Sequence, residues 1–89
     1  MEYDVRASTQ ASKDLTIAQC HYRASNIEDA FNIDFKTQIG YIKSNPYLFQ
    51  IYYRNIRKVH LSSFKYSIHY VIKNKTVYIL RILGQNQKI

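Results

Sequence analysis

Residues 56–83 read IRKVHLSSFKYSIHYVIKNKTVYILRIL, and the period of this stretch decides the fold. From Tyr52 onward apolar residues recur at every second position. Ile56–Leu61, Tyr66–Ile72 and Thr76–Leu83 therefore read as three strands, rich in Val, Ile and Tyr as strands should be. If Leu61 faces Tyr66 across Ser62-Ser63-Phe64-Lys65, then Val59 faces Ile68 and Arg57 faces Tyr70. The other side of that hairpin pairs His60 with Ser67 and Lys58 with His69. One face is apolar enough to carry helices, and the other is polar and basic.

The last hairpin admits two registers. A two-residue turn at Asn74-Lys75 pairs Ile68 with Arg81 and drives a guanidinium into the helix-covered face. A three-residue turn at Lys73-Asn74-Lys75 pairs Tyr70 with Tyr78 and Ile68 with Leu80, and it sets Arg81 beside Ser67 on the open face. Burying an unpaired guanidinium is costly, so the second register is expected, with Leu80 facing the helices.

Upstream the period changes. Glu2–Arg6 reads as a short strand, with Tyr3 and Val5 alternating against charges. Ala11, Leu15, Ala18 and Tyr22 mark one face of an amphipathic helix that begins near Ser8 or Thr9. Ser25-Asn26-Ile27-Glu28 has capping-box spacing and opens a second helix, which buries Phe31, Phe35, Ile39 and Ile42. That helix stops near Ser44, because Pro46 pushes Asn45 out of the α region. The short connection makes the pair an αα-hairpin. The expected architecture is α+β, a single domain over residues 1–89 in the order β-α-α-β-β-β: an antiparallel sheet with the αα-hairpin on one face and a basic face left open.

Charge is divided along the chain. All carboxylates lie at or before Asp34, whereas Phe35–Ile89 holds Lys36, Lys43, Arg54, Arg57, Lys58, Lys65, Lys73, Lys75, Arg81 and Lys88, within a net charge of +7. Most aromatics share that half. Uncompensated cations await something negative, so the expected partner is nucleic acid, a nucleic-acid machine or an acidic protein segment. The single cysteine, Cys20, leaves no internal disulfide, fits a reducing cytoplasm and reads as an inert thiol on a helix. Nothing resembles a signal peptide, and no apolar run approaches a membrane span. His60, His69 and Cys20 lack metal-ligand spacing, so neither a metal nor a cofactor is expected.

In order, the runs KDLTIAQCHY (13–22), AFNIDFKTQIGYIKSNPYLF (30–49) and YRNIRKVHLSSFKYSIHYVIKNKTVYILRIL (53–83) resemble the RelE/ParE superfamily of toxins from bacterial type II toxin–antitoxin modules. The shared pieces are the Asp14-Leu15 pair, the Asn45-Pro46 helix stop, Arg57 opening the second strand, the Phe64-x-Tyr-x-Ile-x-Tyr70 run and the final Ile-Leu-Arg-Ile-Leu strand. The resemblance implies the same β-α-α-β-β-β fold, a growth-inhibiting function and a cognate acidic antitoxin that can form a toxin–antitoxin hetero-oligomer. It also implies one of two targets. RelE-like members enter the ribosome and cleave mRNA with a basic cluster on the sheet, where cations stabilise the attack of a 2′-hydroxyl and a base removes its proton. ParE-like members poison DNA gyrase and lack that set.

Lys58 and His60 occupy the two basic positions of the RelE-like second strand, and with Arg81 they would form the ribonuclease cluster. Ser67, however, stands where a catalytic arginine is expected, and Gln85 and Asn86 replace a basic pair. Arg81 matches the Arg-x-Leu-His-x-x-Arg ending common in ParE-like members, with Gly84 in place of the histidine. The ParE-like branch is therefore favoured, as a toxin acting by binding rather than by its own chemistry. The alternatives are the RelE-like endoribonuclease and a degenerate, non-toxic relative that still binds an antitoxin. Residues expected to touch target or antitoxin are Arg54, Arg57, Lys58, His60, Ser67, His69, Arg81 and Gln85. Further expectations follow from the residues alone. His69 would titrate near neutrality if it were a base. The Arg57 stem would cover Tyr70 while its head reaches a helix carboxylate. Tyr52 and Tyr53 would cover the end of the second helix.

Overall fold

Helical and strand periods alternate along the chain as the side chains dictate, and a computed structural model describes residues 2–84 of the result. Strand β1 (Asp4–Ala7) leads into helix α1 (Thr9–Arg23) and helix α2 (Glu28–Ser44). A 3₁₀ turn (Pro46–Leu48) then precedes β2 (Ile51–Tyr53), β3 (Ile56–His60), β4 (Tyr66–Lys73) and β5 (Thr76–Gly84). The strands form one sheet in the order β1-β5-β4-β3-β2. β1 runs parallel to β5, and the other neighbours are antiparallel. The expected α+β order is present, with β2 as an additional edge strand. β2 escapes a reading of periodicity because it spans three residues, all exposed.

Helix α1 starts where Ser8 caps it, the Ala11 amide donating to Ser8 Oγ at 2.9 Å. The Ser8 hydroxyl also donates to the Leu80 carbonyl, so the cap ties the helix to β5. The capping box expected at Ser25 does not form. Ile27 is the N-cap of α2 and makes no side-chain cap bond. Glu28 instead accepts two hydrogen bonds from the Arg23 guanidinium, at 2.9 and 3.0 Å. The turn between the helices closes through backbone bonds to the Tyr22 and Arg23 carbonyls, with Asn26 in the left-handed region at φ 60°.

The core lies between the αα-hairpin and the sheet. Ala11, Ala18, Phe31 and Ile42 meet Val59, Ile68, Tyr70, Val77, Ile79 and Ile82, all buried. An aromatic cluster clamps the tip of the helical hairpin to the β3–β4 turn: Tyr22 stacks on Phe31 at 5.0 Å and meets the Phe64 ring edgewise at 4.7 Å. Pairs of this kind contribute roughly 0.5–1.5 kcal/mol beyond area burial. The same turn is pinned by Asp34, whose carboxylate accepts the Ser62 and Ser63 amides at 3.1 and 2.8 Å. At the other end the buried Tyr70 hydroxyl donates to the Pro46 carbonyl at 2.6 Å. Burial pushes the Tyr70 phenol up to about 12.

The β3–β4 register is the expected one, with Arg57 opposite Tyr70, Lys58 opposite His69, Val59 opposite Ile68 and His60 opposite Ser67. The β4–β5 register is neither of the two anticipated. The turn is the two-residue Asn74-Lys75 form, pairing Lys73 with Thr76, and Asn74 takes φ 59°. After Tyr70↔Ile79 the ladder slips by one residue, so that His69 faces Arg81 and Ile68 faces Ile82. Leu80 is the extra residue of a β-bulge. A bulge reverses the inward–outward parity beyond it, so Arg81 escapes the core even though the turn is short. The two-residue turn corrects the expected placements of Leu80 against the helices and Tyr70 opposite Tyr78, and the bulge then sets Arg81 opposite His69 rather than beside Ser67.

Candidate binding face

The sheet face away from the helices presents side chains from alternate positions of β3, β4 and β5. Lys58, His60, Lys65, Ser67, His69 and Gly84 line a cleft of about 440 Å³ on this face. β3 supplies Lys58 and His60, β4 supplies Ser67 and His69, and the Asp34-pinned turn supplies Lys65. The arrangement is cationic, as expected for an anionic partner. Its members differ in accessibility. His60 and Lys65 are exposed and Lys58 is half-buried, whereas Ser67 and His69 are buried, at 4% and 3% exposure.

The surroundings of His69 settle its protonation state. The Tyr52 ring stands edge-on at 5.5 Å, and the Lys58 ammonium sits 4.3 Å from the centre of that same ring. Nε2 lies 3.2 Å from Ser67 Oγ, and Nδ1 is buried with no hydrogen-bond partner among the described residues. Burial, then the charges of Lys58, His60 and Arg81, push the His69 pKa down to about 4. The imidazole is therefore neutral at physiological pH, contrary to the near-neutral titration expected. Tyr52 covers this histidine rather than the end of α2, because β2 places it on the open face.

Arg81 stands opposite His69, but its head turns away from the cleft. Nε donates to Asp14 Oδ2 at 2.8 Å, and the Ile82 amide donates to the same oxygen at 3.0 Å. Asp14 lies on α1 where β5 runs on past the end of β1. Its carboxylate thus takes the place of the missing strand partner. Burial alone would raise the Asp14 pKa, but hydrogen bonds from Arg81, Ile82 and Gln10 hold it below the usual carboxylate value. Asp14 was not anticipated as a site residue. A signal existed: it falls at i+3 from Ala11 and four before Ala18, on the face of α1 that is buried, where an acid needs a partner.

The remaining sites separate. Arg57 lies on the helix side, donating to the Phe49 carbonyl at 2.6 Å with its guanidinium 5.1 Å from the Tyr47 ring centre. A backbone carbonyl and a ring hold its head, not the helix carboxylate expected. Arg54, at φ 55° in the β2–β3 turn, stacks on Tyr53 and is exposed at the far edge of the sheet. Gln85 and Asn86 lie outside the described residues. Sequence reasoning also passed over Lys65, which a hairpin turn brings to the cleft, and assigned Tyr52 to the helix end, whereas the extra edge strand sets it beside His69 and Lys58. Among the described residues, no group of three His, Cys, Asp or Glu side chains is placed to hold a metal ion. No helix there is long and apolar enough to cross a membrane.

No protein-family model matches the chain, and no curated protein matches its sequence. Solved structures do match its shape. A chain of the chromosomal ParDE toxin–antitoxin system from P. aeruginosa superposes with a TM-score of 0.79 at 19% identity, over 93% of this chain and 96% of that one. A chain of the E. coli DinJ–YafQ toxin–antitoxin complex gives 0.64 at 18%, over 94% and 93%. YafQ from E. coli strain BL21(DE3) gives 0.64 at 19%, over 94% of each chain. The chain shares the fold of these ParDE and YafQ chains.

Proposed function

We propose that this protein is the toxin of a type II toxin–antitoxin pair, of the ParE-like kind, acting by binding an intracellular target such as DNA gyrase and neutralised by an acidic antitoxin. The observation that carries the reading is the chemistry of the open face. It gathers cations around a cleft, yet its buried histidine is neutral, its arginine is engaged by Asp14, and among the described residues no carboxylate lines it. Such a face suits recognition of an anionic surface better than proton transfer, which needs a base poised near the working pH. The ParDE likeness, at a higher TM-score than the YafQ likeness, supports the same branch. Induced expression is expected to arrest growth with DNA damage and filamentation, without cuts inside translated codons. Arrest without DNA damage would overturn the gyrase target.

A second reading has its own support. Lys58, His60 and Lys65 converge on one cleft, which is the minimum a ribosome-dependent endoribonuclease needs to hold a phosphodiester. Primer extension on a reporter transcript separates the two. Codon-level cleavage that disappears in Lys58→Ala or His60→Ala selects the enzyme.

A further inference from the structure

At the end of the open face remote from the cleft, the two-residue β4–β5 turn sets Leu80 half-buried on that face, beside Val71 and the exposed ring of Tyr78. These three floor a groove of about 550 Å³ across β1, β5 and β4, with Arg6 and Lys73 among its walls. Both cations are exposed, and among the described residues neither joins an ion pair. The one carboxylate on the same strand, Asp4, is exposed and joins none either.

We propose that this groove docks an acidic polypeptide segment, one that seats a bulky apolar side chain on Val71, Tyr78 and Leu80 and sets carboxylates against Arg6 and Lys73. Charge complementarity selects the occupant: two unpaired cations border an apolar floor in a chain of net charge +7. Single-stranded nucleic acid fits less well. Two of the three floor residues are aliphatic and offer no π-face on which a base can stack. The groove shares no lining residue with the cleft of Lys58, His60 and Lys65, so partner docking and target contact are separable. The inference rests on the toxin–antitoxin reading only for the owner of the segment, the antitoxin.

The test is a titration of the isotope-labelled protein with a short synthetic peptide of alternating glutamates with leucine and phenylalanine anchors, read by amide chemical shifts and by anisotropy of a fluorescein label. Shifts are expected at Ala7, Val71, Lys73, Tyr78 and Leu80. Affinity should fall roughly tenfold or more in Leu80→Asp and in the double variant Arg6→Glu/Lys73→Glu, and by only about threefold or less in Lys58→Glu. Circular dichroism confirms that each variant is folded, and the charge-reversal pair leaves the apolar floor intact should Leu80→Asp fail. No saturable binding, shifts confined to the Lys58 cleft, or stronger binding of an oligothymidine at the same amides would each overturn the proposal. Peptide binding by a protein that proves non-toxic would sink the toxin reading and leave the groove standing. Toxicity without peptide binding would do the reverse.

Discussion

Arg81 on β5 and Asp14 on α1 are 67 residues apart and meet at 2.8 Å. The Asp14 side chain is 8% exposed and the Arg81 side chain 30%. The pair stitches the first helix to the last strand at the place where β1 runs out. An exposed contact residue, as the sequence suggested, would have been free to face a partner. Here the guanidinium is committed within the chain.

Removing either member should destabilise the fold unequally. Asp14→Ala strands the Ile82 amide as well as the guanidinium, and should cost about 2–4 kcal/mol. Arg81→Ala leaves Asp14 with its bonds from Ile82 and Gln10, and should cost about 1–2 kcal/mol. Urea denaturation of the two variants checks the order. If Arg81→Ala matches wild type, the ion pair contributes nothing.

Stability should decline in mild acid because of His69. Its folded pKa of about 4 lies below the ordinary 6.5, so the unfolded chain takes up a proton first. The contribution is fully present above about pH 6.5, falls as pH drops toward 4, and levels off below that, a loss on the order of 3 kcal/mol. Denaturation at successive pH values, for wild type and His69→Gln, isolates the term. NMR titration should find the His69 ring neutral at pH 5.5.

The β4–β5 register makes a prediction opposite to the one that a three-residue turn supports. Leu80→Ala should cost only about 1 kcal/mol or less, because Leu80 is half-buried on the open face. Ile82→Ala, in the core, should cost about 2–4 kcal/mol. Thermal melts of both variants decide whether the ladder slips where the structure places the slip.

Tyr70→Phe deletes a buried hydroxyl and leaves the Pro46 carbonyl without that donor. A loss of about 1–2 kcal/mol is expected. Little change on the substitution would mean that the hydroxyl contributes nothing net to stability.

Local pattern determined a large part of this protein. Alternation over 56–61 and 66–72 specified both the β3–β4 register and its polar face, because a one-residue slip would have turned Val59 and Ile68 to solvent. The spacing of Ala11, Leu15 and Ala18, and the Pro46 stop, set the helices for equally local reasons. The confinement of carboxylates to the first part of the chain made a cationic sheet face legible before any coordinate. Tertiary structure decided the rest. Whether Arg81 could be accommodated depended on an acid 67 residues away, and periodicity carries no information at that separation. The bulge at Leu80 absorbs the conflict between a two-residue turn and an unburiable guanidinium, so strict alternation from that turn misplaces the β5 residues beyond Leu80, Arg81 and Ile82 first. Tyr52 became the cover of His69 only because a three-residue strand paired with β3 at the sheet edge. Burial, not residue type, then took His69 out of the physiological titration range, since the cost of charging an imidazole is set by what surrounds it.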